Sequence, residues 1–420
     1  MCGQTPVCRG RRSRVAEELA DQPDKTTEEL ADQPDKTAEE FVFTGEQAQL
    51  RDAVRKFSAD NFGEANARIQ MESEPRFDRK VWQRLGSELG VLGLSVPEAD
   101  GGVGGSLVDQ AIAVEELGAA LATGPLFGTV FLAIPALVAA SGGPDRDELL
   151  GALVEGTRTA AFAVPDAAGA FDATAVTVTG TEKLTGTVAR VVDADAADEL
   201  LVAATGPGGV ALYAVDAHGP GVQRTALVTL DLTRPQATVE LSQAPARLLA
   251  GPDEAGRVIT HALQVGSALL AAEQVGAAAH LLNLSVEYAK SRLQFGRPIG
   301  SFQAVKHRLA EGMVDLEHAR SATYHAVWAL SDGSDDPALA AAIAQALASA
   351  AFSRIATDTI QVHGGIGFTW EHQAHLYFKR ATTDAALLGS AEAHRHRVAE
   401  LVLDTAEAKA PRVATGATTR

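Results

Sequence analysis

The sequence predicts an α+β fold that is mostly helical: an N-terminal helical domain, a middle antiparallel β domain and a C-terminal four-helix bundle. Apolar residues recur at helical spacing in the first and last parts of the chain. Between them lie short alternating runs, rich in Val and Thr and separated by Gly, Pro and Asp, as in antiparallel strands. The predicted boundaries are a disordered tail over 1–40, a helical domain over 41–154, a β domain over 155–250, a helical bundle over 251–408 and a flexible tail over 409–420.

Composition narrows the class of protein. The chain has 420 residues and a formal net charge of −18, which argues against a nucleic-acid partner. Both cysteines, Cys2 and Cys8, lie in the first ten residues, so no disulfide framework holds the fold and a reducing, cytoplasmic location is expected. The basic start lacks the apolar core of a secretory signal. The segment "EELADQPDKT" then occurs twice, at 17–26 and 28–37, and its acidic, polar composition predicts disorder.

The first domain opens with two amphipathic patterns, "GEQAQLRDAVRKFSADNF" and "DRKVWQRLGSELGVLGLSV", and a turn, "PEADGGVGG". Ser106 is then a predicted N-cap for the next helix. The run over 119–140 carries no charge and is nominally long enough to cross a bilayer. Gly124, Pro125 and Pro135 interrupt it, and no aromatic or basic belt flanks it, so we predict two buried helices joined at Gly124–Pro125 and no membrane span.

Helical patterns fill the last part of the chain, over 254–289, 301–331, 336–362 and 390–408. The first of them ends in "SRLQFGRPIG" (291–300), which places Arg292 and Arg297 around a Phe295–Gly296 corner that we predict to be exposed. The sequence "DGSDDP" forms a predicted loop between the second and third helices.

Three motifs now carry a resemblance to a known family: "LGVLGLSVPEADGGVGG" with "EELG", "YAKSRLQFGRPIGSFQAVKHRLAEG", and "QVHGGIGFTWEHQAHLYFKRA". With these motifs in this order, the sequence resembles the acyl-CoA dehydrogenase family over about 42–405. The resemblance implies the same three-part fold, bound FAD, and removal of two hydrogens from an acyl thioester to form an α,β double bond, as in fatty acid metabolism. It also implies an oligomer and an electron-transfer flavoprotein as electron acceptor.

The resemblance assigns a set of residues to the FAD of a neighbouring subunit. In the family, the arginine of the R-x-x-F-G turn contacts the FAD pyrophosphate, and this suits Arg292 because a planar guanidinium binds a phosphate with two hydrogen bonds. Paired glycines suit a close approach of backbone to a cofactor. The implied contacts are Arg292, Phe295, Gln303, Gln361, Gly364 and Gly365. His363 is expected to be a packing or hydrogen-bonding spacer.

The catalytic base that the family requires is missing from both of its usual positions. Such a carboxylate must lie within reach of the α-proton, and here the two positions are Leu388 and Gly266. Glu273 lies seven residues after Gly266, on nearly the same helical face, and is the candidate for a relocated base. The alternative is a structural carboxylate paired with an arginine. The backbone of Leu388, with Gly389, is still expected to bind the thioester carbonyl.

The β domain also departs from the family pattern. The segments "AVPDAAGAFD" (163–172) and "GTVARVVDADAAD" (186–198) stand where the family holds the flavin of its own subunit, but the expected serine, aromatic residue and threonine are absent. The groups for a neighbour's FAD are therefore present, whereas those for the chain's own flavin are eroded. This asymmetry is expected of one subunit in a mixed assembly with a second dehydrogenase-like chain.

Three functions follow from these observations. The first is an FAD-dependent acyl-CoA dehydrogenase in a homo- or hetero-oligomer; the alternatives are a non-catalytic partner subunit, and a flavin oxidase or monooxygenase on the same fold. The acyl carrier, CoA or an acyl-carrier protein, stays open. His372, His375, His394 and His396 lack partners at metal-ligand spacing, so we predict a charged helical face and no metal site.

Overall fold

The computed structural model describes residues 43–333 and 335–404, so both predicted tails lie outside the described residues. The first part is helical, as predicted. Side-chain caps fix two of its helix starts, because Asp78 accepts hydrogen bonds from the N–H groups of Lys80 and Val81, and Ser106 forms a reciprocal capping box with Asp109. The predicted cap at Ser106 is thus confirmed. The helices are α1 (Gly45–Asn61), α2 (Glu64–Met71), α3 (Arg79–Ser87), α4 (Leu107–Ala119), α5 (Ile134–Ala139) and α6 (Pro144–Val154).

Gly124–Pro125 interrupts the helical structure of the uncharged run over 119–140, as predicted, but only the part of the run after it is helical, because residues 120–125 form a turn. Helix α4 ends at Ala119, and a wider π-type helix over Leu126–Ala133 continues directly into α5. All eight residues of the π-type segment are buried, which explains the absence of charged residues from this stretch.

The middle of the chain forms an eight-stranded sheet in which most neighbours are antiparallel. The strands of this sheet are β1 (Ala160–Ala163), β4 (Thr179–Gly180), β5 (Lys183–Val192), β6 (Glu199–Gly206), β7 (Gly209–Asp216), β8 (Val222–Ala226), β9 (Gln236–Pro245) and β10 (Arg247–Ala250). The pairs β1–β6 and β4–β6 are parallel, which the sequence does not predict, because the chain makes long excursions between these strands rather than hairpins. Across the whole sheet, the strands follow the order β10-β7-β6-β4-β5-β9-β8, and β1 also pairs with β6.

A separate small hairpin leaves this sheet and reaches the helical bundle. It consists of β2 (Asp166–Ala167) and β3 (Ala170–Phe171), and we call it the 166–171 hairpin. Phe171 packs against the main hydrophobic core, which is formed chiefly by the helices.

The last part of the chain is a helical bundle around one long central helix. Helix α10 lies in a stretch where the sequence analysis predicts no helix. The helices and short strands are α7 (Ala255–Ser291), β11 (Leu293–Gln294), β12 (Arg297–Pro298), α8 (Gln303–Asp332), α9 (Pro337–His363), α10 (Ala374–Asp384) and α11 (Ala391–Ala399), followed by a π-type turn over Glu400–Asp404.

Two helices of the bundle, Ala255–Ser291 and the continuous segment Pro337–Phe368, are long and apolar enough to cross a membrane by length and composition alone. The most apolar window of the first is 89% buried inside the protein, and that of the second is 61% buried. Their apolar character is therefore accounted for by packing in the core of the bundle.

Candidate functional site

The R-x-x-F-G corner is a short β-hairpin with a two-residue turn, and it lies at the end of α7. Strands β11 and β12 pair Leu293 with Pro298 and Gln294 with Arg297, which leaves Phe295 and Gly296 as the turn. Their φ angles of 52° and 75° give two successive left-handed residues, the geometry in which glycine is favoured at the second position. The Phe295 side chain is 91% exposed, so the predicted exposed corner is confirmed.

Two guanidiniums and two rings surround this hairpin. The Arg297 guanidinium lies 4.1 Å from the centre of the Phe302 ring, and Phe295 meets the same ring edge-on at 6.0 Å. Within 43–333 and 335–404, neither Arg292 nor Arg297 forms a salt bridge, so both side chains are available to an external anion. Gln303, which begins α8 directly after Phe302, is also exposed.

The second group of predicted cofactor contacts lies at the end of α9. Gly364 ends this helix with a φ of 64°, and a Cβ added to Gly364 or Gly365 would meet no atom within 4 Å. Both glycines and Gln361 are exposed. The backbone of this turn is therefore open to close approach by a bound molecule, as an approach to a cofactor requires.

A ring stack places the two groups of contacts side by side. Tyr288, one turn before Arg292, stacks on His363, the residue before Gly364, with ring centres 4.3 Å apart. His363 is buried and its Nδ1 bonds to the carbonyl of Thr359 at 2.8 Å, and burial lowers the pKa of its imidazole. These contacts agree with a packing role for His363.

The backbone position predicted for the thioester carbonyl is covered. Leu388 is buried with a φ of 54°, and Gly389 follows with a φ of 100°. A Cβ added to Gly389 would lie 2.5 Å from the Cα of Ala168, at the tip of the 166–171 hairpin. On the other side of the tip, a Cβ added to Gly169 would lie 2.7 Å from the Oγ of Ser267. The hairpin thus packs directly against both the Leu388–Gly389 turn and helix α7.

The alternative base position, Gly266, is closed for a different reason. It is buried, and a Cβ there would lie 2.5 Å from the Cδ2 of Leu132 and 3.2 Å from the carbonyl oxygen of Phe131. A carboxylate at this position therefore requires the Leu132 side chain to move and presses against the carbonyl of Phe131.

Glu273 lies in a buried ion network. Its side chain is 1% exposed, and its two oxygens accept hydrogen bonds from Arg234 at 2.6 and 2.5 Å. Arg380 donates a third hydrogen bond, at 2.9 Å. This pairing favours the structural alternative for Glu273, and its assignment as the base stays a prediction.

The network extends beyond Glu273 into what we call the buried charge cluster. Arg380 also binds Asp231, at 2.7 Å, and the guanidinium of Arg234 lies 3.2 Å from Asp384. Burial alone would lower the pKa of Arg234, but Asp384 and Glu273 hold it above its usual value. The members of the cluster are Asp193, Asp231, Arg234, Glu273, Arg380 and Asp384, all less than a tenth exposed.

Most members of this cluster are not predicted as site residues from the sequence. Asp231 and Arg234 occupy the loop after β8, and nothing in the sequence of this loop indicates that its charges will be buried. The sequence also offers Asp384 and Glu392, one helical turn on either side of Leu388, as weaker candidates for the base, with solvated side chains as the alternative. Asp384 is instead completely buried, whereas Glu392 is exposed and pairs with Arg395.

The histidines do not form a metal site in the described part of the chain, where no group of three potential ligands occurs. The prediction of a charged helical face is wrong for His394, which is 1% exposed and bonds through Nε2 to the carbonyl of Leu388 at 2.8 Å. It is right for His396, which is exposed beside Glu400.

Comparisons with known proteins agree with the observed fold. A family model described as the acyl-CoA dehydrogenase N-terminal domain matches residues 44–157, and one described as the acyl-CoA dehydrogenase C-terminal domain matches residues 255–403. The acyl-CoA dehydrogenase IpdE2 of Mycobacterium tuberculosis is 38% identical over 346 residues, which cover 82% of this chain and 93% of that protein.

Two solved structures share both the fold and part of the sequence. A steroid ACAD of two named components, Tcur3481–Tcur3483, is 32% identical with a TM-score of 0.78, and the match covers 86% of this chain and 99% of that one. The ChsE4–ChsE5 complex from Mycobacterium tuberculosis is 31% identical with a TM-score of 0.76, and the match covers 88% of this chain and 99% of that one.

Proposed function

Because this chain belongs to the acyl-CoA dehydrogenase family, we propose that it is one subunit of a heteromeric, FAD-dependent enzyme that forms an α,β double bond in an acyl thioester. In this assembly it contributes the surface that holds a neighbouring chain's FAD. The observation that carries the proposal is the contrast between its exposed cofactor contacts and its covered thioester position. The proposed location is the cytoplasm.

The exposed contacts fit the cofactor. Arg292 has no ionic partner in the described residues and would bind the pyrophosphate, while the exposed ring of Phe295 would pack beside it. The open backbone of Gly364 and Gly365 would lie against the same molecule. FAD, when bound, supplies the acceptor for the hydride that leaves the β-carbon of the substrate.

The residues that this chain would contribute to its own active site do not form a complete one. The 166–171 hairpin packs against Gly389, and both usual base positions lack a carboxylate. Glu273 would have to leave two buried guanidiniums to act as a base, which costs several kcal/mol for an unpaired buried charge. The proton-abstracting group is therefore assigned to the partner chain.

Two relatives with two-component names support the heteromeric assembly. The ChsE4–ChsE5 structure is a complex, and the Tcur3481–Tcur3483 protein is described as a steroid ACAD. A ring-bearing acyl thioester is accordingly the first substrate class to assay, with an electron-transfer flavoprotein as the proposed electron acceptor. CoA is the first carrier to test, ahead of an acyl-carrier protein.

The test is to purify the chain alone and together with a second dehydrogenase-like chain, and to measure native mass and released flavin. We expect little FAD in the folded chain alone and retained FAD in the mixed complex. Arg292→Ala is expected to lower FAD retention at least tenfold, whereas Arg395→Ala, an exposed arginine on α11, leaves it unchanged. About one FAD per chain in the purified chain alone, with acyl-CoA oxidation, would contradict the proposal.

A further inference from the structure

The buried charge cluster contains more acids than bases. Within the described residues, the carboxyls of Asp193, Asp231, Glu273 and Asp384 are opposed by only two guanidiniums, those of Arg234 and Arg380. If all six groups were ionised, two negative charges would remain uncompensated in a site without solvent. Such charges are expensive to bury, so protons are expected to neutralise two of the carboxyls.

The hydrogen bonds identify which carboxyls those are. Glu273 accepts from both arginines, and Asp231 accepts from Arg380 and from the hydroxyl and N–H of Thr233. Asp384 is fully buried, yet neither of its oxygens has a hydrogen-bond partner among the described residues. The Oδ1 of Asp384 lies 3.2 Å from the Nη1 of Arg234, but the two groups are not aligned for a hydrogen bond.

Asp193 is the second undercompensated acid. It accepts a hydrogen bond from the N–H of Gly128 at 2.9 Å and forms no salt bridge with Arg234 or Arg380 in the described chain. Asp195 lies near it and adds further negative charge. Burial raises the pKa of both Asp193 and Asp384 to about 7, against the attraction of the nearby arginines.

The cluster joins the middle domain to the helical bundle. Asp193 follows β5, and Asp231 and Arg234 belong to the loop after β8, so three members come from the middle domain. Glu273 is on α7, and Arg380 and Asp384 are on α10. Asp384 ends α10, its carbonyl accepts from the N–H of Leu387, and the next residues form the Leu388–Gly389 turn that the 166–171 hairpin covers.

From this geometry we propose that the buried charge cluster is a proton-dependent latch, which holds the middle domain and its 166–171 hairpin on the bundle while Asp193 and Asp384 are protonated. When both carboxyls lose their protons, the charge on Asp384 faces Asp231 across the junction and Glu273 on α7, and the charge on Asp193 adds to that of Asp195. The contact between the domains weakens and the hairpin opens from Gly389. The groups that face Asp384 are Arg234 and Asp231 from the loop, Glu273 from α7, and Arg380 from its own helix.

The direction of the pH effect follows from proton linkage. Each of the two acids binds its proton more tightly in the folded chain than in the unfolded chain, so the stability they confer falls as pH rises from about 4 to about 7. Histidines whose pKa values are lowered by partial or full burial, such as His280 and His394, act in the opposite direction. The latch must therefore be measured as a difference between variants at each pH.

The test compares Asp384→Asn with the unmodified chain over pH 5.5–8.5, by thermal unfolding and by hydrogen exchange of the 166–171 hairpin corrected for the intrinsic rate. Asn is a neutral isostere, so we expect its melting temperature to rise relative to the unmodified chain as pH increases and to level off above about pH 7.5. In the unmodified chain, corrected exchange of the hairpin should increase at least fivefold over this range, and in the variant it should stay within twofold.

Two further variants make the result decisive. Asp193→Asn should act in the same direction, which guards against a local packing fault at residue 384. Asp60→Asn, an exposed carboxyl on α1, should show no pH-dependent difference. A pH-independent difference for both buried variants, or hairpin exchange that ignores pH, would overturn the latch. Because the chain is measured without FAD, these outcomes do not depend on the proposed function.

Discussion

The role of Glu273 is decided by Glu273→Gln, measured in the assembled, FAD-loaded enzyme. The change removes the negative charge that Arg234 and Arg380 bind at 2.5 to 2.9 Å, while a neutral acceptor of the same shape remains. Loss of one partner from a buried pair costs about 3–5 kcal/mol. Because Asp384 lies 3.2 Å from Arg234, it can ionise in response, so we expect a cost of about 2–4 kcal/mol.

For a chain of this size, that cost corresponds to a fall of roughly 3–5 °C in melting temperature. If Glu273 is structural, kcat/KM per folded enzyme stays within about threefold of the original. If Glu273 removes the α-proton, kcat falls by about 10²–10⁴. Glu116→Gln provides a matched control, because Glu116 is also buried and pairs with two arginines, Arg51 and Arg55. A hundredfold loss of kcat with an unchanged melting temperature would refute the structural reading.

Three further predictions test the packing around the covered turn. Gly389→Ala should lower the melting temperature and speed proteolysis of the 166–171 hairpin, because Gly389 has a φ of 100° and an added Cβ would lie 2.5 Å from the Cα of Ala168. Gly365→Ala should have neither effect, because a Cβ at Gly365 meets no atom within 4 Å. Gly266→Glu should destabilise the chain without adding activity, because its first side-chain atom would lie 2.5 Å from Leu132; a gain in acyl-CoA oxidation would show that the position is a functional base site. Burial lowers the pKa of His394, so the stability that this residue contributes should fall as pH drops below about 6.5. In denaturant titrations, His394→Gln, which keeps a donor for the carbonyl of Leu388, should therefore gain stability relative to the unmodified chain as pH falls.

The order of the three parts is predictable from the sequence because each has its own periodicity. Long patterns at helical spacing predict α7, α8 and α9, and turn chemistry predicts the corner at Phe295–Gly296. Helix α10 escapes the same reasoning, since its burial depends on Arg380 and Tyr377, whose polar ends find partners only in the folded chain. A periodicity argument treats such residues as surface.

The charge cluster and the closed turn depend on contacts between residues that are distant in sequence. Arg234 and Asp384 are 150 positions apart, and no local pattern indicates that a loop of the middle domain meets the end of α10. The contact of Gly389 with Ala168 is equally non-local. The sequence predicts that the flavin-facing segments are eroded, but only the fold shows that one of them covers the position expected to bind the thioester.

The exposed cofactor contacts and the buried residues of the covered turn affect different measurable properties, so the proposed function and the latch can be tested separately. Arg292 and Phe295 are exposed and have few intramolecular contacts, so their substitution is expected to leave the stability of the chain within about 0.5 kcal/mol. Gly389 and Asp384 are packed or fully buried, so their substitution changes stability before any partner binds. A variant of the first kind that fails to retain FAD identifies a binding defect, because its fold is intact. A variant of the second kind that alters the 166–171 hairpin in the isolated chain identifies a conformational defect, because no cofactor is involved.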